Sequence, residues 1–168
     1  MARDEFGQPE LPTDIEVTAD WYAAPDFQLQ GMADAADRFG NGYVVTLVVA
    51  GGLISGVVES KQAFLRGSGE KLRDMVAEGG DEKAIAYFNE QAEYQFDGVA
   101  KIIDDQLAAE FESIKGGGAP KKEVVPRSLM YRFVHLSNAL WHGSSIPIDL
   151  GHVRVQLSQI SAWSVGRP

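Results

Sequence analysis

Tyr43-Val44-Val45-Thr46-Leu47-Val48-Val49-Ala50-Gly51-Gly52-Leu53-Ile54-Ser55-Gly56-Val57-Val58 decides the fold class. β-Branched and aromatic side chains fill both halves of this stretch, and such residues suit a pleated, half-buried surface. Ala50-Gly51-Gly52 divides the halves, and a Gly-Gly pair supplies the positive φ angles that a tight hairpin turn needs. The stretch therefore predicts two antiparallel strands, Tyr43–Val49 and Leu53–Val58. Its apolar run is too short, and too often interrupted by Thr46, Gly51, Gly52, Ser55 and Gly56, to span a bilayer.

Upstream, Phe27, Met32, Ala35, Ala36 and Phe39 take the spacing of a short amphipathic helix, which Gly40-Asn41-Gly42 ends. Residues 1–26 carry Pro9, Pro12 and Pro25 among many acids, and read as an irregular acidic arm partly ordered by Trp21 and Tyr22. Downstream, Ser60–Glu78 is predicted helical, with Phe64, Leu72, Met75 and Val76 as its apolar stripe and Gly67 and Gly69 weakening its middle. Gly79-Gly80 breaks it, and Asp81 is placed to cap the next helix. From Ile85 through Phe88, Ala92, Phe96, Val99, Ile103, Leu107, Phe111 and Ile114, apolar residues recur at steps of three or four. That is one long amphipathic helix, stopped by Gly116-Gly117-Gly118 and Pro120.

The last third returns to strands. Leu129–Leu136 reads as one, continuing through Ala139-Leu140-Trp141 to a turn at His142-Gly143-Ser144-Ser145. Val153-Arg154-Val155-Gln156-Leu157 alternates apolar and polar as a half-buried strand does, and Ile160–Val165 forms the last. The order predicts an α+β domain over residues 27–168. Its centre is a small antiparallel β-barrel or strongly bent sheet of four to five strands, SH3-like in type. A helix precedes it, and a long helical insertion (about 60–115) separates the first hairpin from the C-terminal meander.

Charge narrows the function classes. The chain has 168 residues, no cysteine and a formal net charge of −9. Residues 1–40 hold nine acids against two bases, residues 61–118 twelve against seven, and residues 119–168 two against six. A chain that repels phosphate overall is not expected to bind DNA, and RNA is disfavoured. The acidic N-terminus, Met1-Ala2-Arg3-Asp4-Glu5, lacks the basic start and apolar run of a signal peptide. The expectation is a soluble cytoplasmic protein that does not engage membranes. Without thiols, neither a disulfide framework nor a thiolate metal site is possible.

Catalytic patterns are not found. His135, His142 and His152 share no helix at ligand spacing, and read as polar residues at strand ends, although His142 and His152 flank one loop. Gly67-Ser68-Gly69-Glu70-Lys71 lacks the full phosphate-loop spacing. Asp81-Glu82 and Asp104-Asp105 read as solvated helix positions. Tyr131, Trp141 and Trp163 are interleaved with Lys121, Lys122, Arg127, Arg132, Arg154 and Arg167, a mixture that suits single-stranded nucleic acid. The plainer reading makes those aromatics core residues and those bases the counterweight of the acidic helices. Neither an enzyme nor a cofactor-binding protein is expected.

Two segments resemble a known family. One is Val45–Gly56, a hairpin of the form G-x-x-x-S-G, followed by a helix with Phe64. The other comprises Phe133-Val134-His135-Leu136-Ser137-Asn138-Ala139 and Arg154–Gly166 with Trp163. Together they resemble the gas vesicle protein U family over about a third of the chain. Ser137 stands where that family has a Lys, His152-Val153-Arg154-Val155 replaces an aromatic-Arg-Gly run, and Ala162 replaces a Gly. The β order also resembles the Sm-like architecture, whose members form rings by edge-strand pairing. The resemblance implies a non-enzymatic accessory protein that promotes gas vesicle assembly or clustering. Its partners would be other copies of itself and gas vesicle shell or accessory proteins; the alternative is an Sm-like RNA-binding ring. The matched candidate interaction residues are Gly51, Gly52, Gly56, His135, Leu136, Asn138, Arg154, Trp163 and Gly166.

Overall fold

The hairpin forms where its residues dictate. Strands β1 (Val44–Val49) and β2 (Gly52–Glu59) pair antiparallel from Val44 opposite Val57 to Val49 opposite Gly52. Gly51, at φ 93°, makes the turn in a region that side chains with a Cβ avoid. These elements belong to a computed structural model that describes residues 25–40, 42–116 and 131–168. The proposed acidic arm before Pro25, the stop beyond Gly116, the first residues of the Leu129 strand, and Lys121, Lys122 and Arg127 lie outside the described residues.

Three further strands complete one antiparallel sheet: β3 (Phe133–Trp141), β4 (Ile148–Gln156) and β5 (Ile160–Val165). The spatial order is β4-β3-β2-β1-β5, so β4 and β5 are the two edges. Of the two forms predicted, the closed barrel is not the one found. Helix α1 (Phe27–Phe39) places Leu29 and Ala36 in the same apolar cluster as Val45, Leu47, Val58, Val134 and Leu136. The inner face is thus covered without the edges meeting. The sheet nevertheless curls. Gly166 bonds to Val44, Val44 faces Val57 and Val57 faces Ser137, yet the next residue, Arg167, reaches the Asn138 carbonyl at 3.4 Å. Three strand spacings would separate those ends by about 14 Å on a flat sheet, farther than an arginine reaches. Register shifts at Val48/Val49, Ser55/Val57 and Leu136/Ala139/Leu140 supply the bend.

Asp26 caps α1 by accepting from the Gln28 and Leu29 amides, and Gly40 at φ 66° closes it. Its buried face is Leu29, Ala33 and Ala36. The predicted positions Phe27 and Phe39 are each 64% exposed, because the core takes the turn between them. Helix α2 (Lys61–Ala77) begins at the Ser60 cap and lies over the outer face of β3 and β4. Met75, assigned to its apolar stripe, points to solvent. Gly67 and Gly69 turn out to be contact points. A Cβ on Gly67 would stand 2.6 Å from His152 Nε2, and one on Gly69 3.2 Å from Phe96 Cβ.

The long helix is present from its predicted Asp81 cap, but not as one uniform helix. It runs as α3 (Glu82–Ala92), a π-helical turn (Glu93–Asp97) and α4 (Gly98–Lys115). The widened turn presents Phe96 to Gly69 and lets Asp97 pair with Arg73, so both residues face α2. Among the described residues no helix is long and apolar enough to cross a membrane.

Candidate functional site

The nine motif residues divide into two groups. Gly51 and Gly52 shape the hairpin end, where a Cβ on Gly52 would lie 2.9 Å from the Trp141 ring. Gly56 permits the close passage of β2 and β3. A Cβ there would sit 3.1 Å from the Ser137 carbonyl and 3.3 Å from Ala139 Cα, both backbone atoms of the irregular stretch. Asn138 occupies that stretch at φ 48°. Leu136 is fully buried, and Trp163, opposite Leu47, packs against the same core. Gly166 ends β5 at φ 99°, its amide donating to Val44 at 2.8 Å and its carbonyl accepting from Thr46 Oγ1 at 2.7 Å. These seven residues build the sheet.

His135 and Arg154 form the other group. They are directly paired across β3 and β4, and Glu59 on β2 faces His135 from the other side. Because Val134 and Leu136 point into the core, alternation turns Phe133 and His135 to the opposite face, beneath α2. His135 is 5% exposed, with the Phe64 ring centroid 4.7 Å away. Burial, then the positive charges of Arg154 and Lys61, lower its pKa to about 4, so the ring is neutral near pH 7. Neither ring nitrogen hydrogen-bonds a described residue. The Arg154 guanidinium lies 3.6 Å above the centre of Phe133.

This pair lies at a cleft of about 410 Å³ that also takes in Asp37, Lys61, Tyr131 and Arg132. Asp37 organises it. Its Oδ1 accepts the Lys61 amide at 2.6 Å, its Oδ2 accepts the Tyr131 hydroxyl at 2.7 Å, and its carbonyl accepts Gln62 Nε2 at 3.0 Å. Sequence reasoning passed over Asp37 and Lys61. The available signal was an acid adjoining Ala36, on the apolar side of α1.

The other histidines do not converge. His142 Nε2 lies 2.8 Å from the fully buried Ser55 Oγ, whereas His152 Nδ1 lies 2.8 Å from Glu59. Burial raises the Glu59 pKa, and the contact with His152 opposes that rise. His142 follows a strand end as predicted, but His135 and His152 stand within strands. Asp81 is a helix cap, Asp104 pairs with Arg66, and Asp105 pairs with Lys101 at 3.1 Å. Tyr131, Trp141 and Trp163 all pack against the core. The basic residues behave otherwise: Arg132 and Arg154 pair with no helix carboxylate among the described residues. Within those same residues, no group of three or more His, Asp or Glu is placed to hold a metal ion.

Compared with protein-family models, with curated proteins and with solved structures, the chain matches none.

Proposed function

We propose that this chain is a non-enzymatic accessory protein of the gas vesicle protein U type, acting in the cytoplasm to promote vesicle assembly or clustering. The observation that carries the reading is where the matched segments fall. Val45–Gly56, Phe133–Ala139 and Arg154–Gly166 are distant in sequence but lie on adjoining strands of one sheet. A common fold requires the matched segments to share one scaffold, and these do. An N-terminal helix followed by the strand order β4-β3-β2-β1-β5 supports the finer reading of that scaffold as Sm-like.

Self-association has a physical basis in the edges. Among the described residues β4 pairs only with β3 and β5 only with β1, so each leaves a row of backbone donors and acceptors for another copy. Acid-rich helices beside a base-rich C-terminal third add an orienting attraction between neighbours.

Co-flotation with purified gas vesicles tests the reading. Buoyant vesicles are expected to carry the protein to the top of the tube at low salt and to release it as salt rises. Protein that stays below at every salt concentration would sink the vesicle role, and a filter-binding assay with short RNA strands would then test the ring alternative.

A further inference from the structure

We propose that the cleft between the start of α2, α4 and the sheet binds a small phosphate-bearing ligand, gripped by Lys61, Arg132 and Arg154, with His135 donating a hydrogen bond from the floor. The inference is independent of the vesicle reading and is tested without vesicles.

The first support is an imbalance of pairing. Among the described residues Arg38, Arg66, Arg73, Lys101 and Lys115 each pair with at least one acid, whereas Lys61, Lys71, Lys83, Arg132, Arg154 and Arg167 do not, and three of those six converge. Lys61, Arg132 and Arg154 line one cleft, yet none has a carboxylate partner among the described residues. Asp37 is the acid that lines the same cleft, and both of its oxygens already accept hydrogen bonds from the protein. Its single negative charge offsets one of the three cations, and the lining keeps a positive excess.

The second support is His135. His135 is 5% exposed as a residue, and the face it turns outward is the one that meets the cleft. His135 borders the cleft with both ring nitrogens free of described partners. A ligand oxygen would accept from the ring N–H in place of solvent. Stacking on Phe133 orients Arg154 as well, because a guanidinium bound by its face keeps its in-plane N–H donors for an anion.

Phosphate fits this donor set better than carboxylate does. A planar carboxylate is satisfied by one arginine fork, whereas tetrahedral phosphate accepts from several directions at once. The cleft volume is that of a small-molecule site, and Ile103 and Phe133 give it apolar wall for an organic body. The charged groups around His135 are Lys61 on α2, Arg154 on β4, Glu59 on β2, Asp37 on α1 and Arg132 just before β3. Two of these, Arg154 and Lys61, are cations that oppose its protonation, and a bound dianion would offset them.

The experiment follows the imidazole NMR signals of the full chain at constant ionic strength, first with inorganic phosphate and then with phenyl phosphate. His135 is expected to shift saturably and to gain protons at a higher pH when bound, while His142 and His152 stay unchanged. Phenyl phosphate is expected to bind more tightly than inorganic phosphate. Lys61→Gln and Arg154→Gln should each weaken binding by about tenfold or more, whereas Lys61→Arg and the remote Lys101→Gln should not. Circular dichroism of each variant separates lost binding from lost fold. No saturable shift, equal responses of all three histidines, or unchanged affinity in folded Lys61→Gln would overturn the site. Equal affinity for the two phosphates would overturn the organic body.

Discussion

His135 is held neutral at pH 6.5, where a free histidine would be half-charged, and that has a thermodynamic sign. The unfolded chain takes up this proton as pH falls through about 6.5, but the folded chain does so only near pH 4. The unfolded state therefore binds more protons across that window, and folding stability declines as pH drops from 6.5 towards 4. Above 6.5 the effect vanishes; below 4 the loss is complete, at roughly 3 kcal/mol. Glu59 acts in the opposite sense, since its raised pKa makes the folded state the better proton acceptor. Comparison with His135→Phe, which keeps an aromatic ring beside Phe64, isolates the histidine. In urea unfolding, the wild type should lose more stability than the variant between about pH 7.5 and about pH 4.5. Equal losses would refute a neutral buried imidazole. At this scale the sequence marked His135 and Arg154 as motif residues, but not their burial or charge state. Those depend on α2 lying across the strands.

Elements are joined here by a few polar residues at their ends. Asp37, in the last turn of α1, bonds the first amide of α2 and the tyrosine two residues before β3. Asp37→Ala removes both acceptors together, and the expected loss is about 3 kcal/mol. Asp37→Asn retains one acceptor oxygen and should lose less. Shifts in the urea midpoint at constant slope would measure both, and a loss in Asp37→Ala below about 0.5 kcal/mol would show that the junction carries little. The boundaries of α1, the hairpin, α2 and β5 were legible because caps, Gly-Gly breaks and strand periodicity are local signals. The π turn was not, because apolar steps of three or four fit an α-helix equally well. Docking of Phe96 and Asp97 against α2 picks out the wider turn.

The whole molecule is acidic, with its surplus acid in residues 1–40 and in the helical stretch 61–118 and its surplus base towards the C-terminus. If copies attract through these exposed charges, association must weaken as the Debye length shrinks from about 30 Å at 0.01 M salt to about 3 Å at 1 M. Sedimentation velocity of the pure full chain across that range should show its mean sedimentation coefficient falling. A steady rise would instead point to apolar or backbone edge association, which salt does not screen.

Local pattern alone determined the α+β class, the hairpin and its turn, the helical insertion, and the absence of any thiol chemistry. Each follows from period, turn residues or composition, and these need only neighbours along the chain. Tertiary structure decided that the sheet stays open, that Leu29 rather than Phe27 enters the core, and that Gly67 and Gly69 are contact points. It also brought Lys61, Arg132, His135 and Arg154 to one cleft, although Lys61 and Arg154 are far apart in sequence. Such convergence depends on which face of β3 and β4 the insertion covers, and no local propensity specifies that choice.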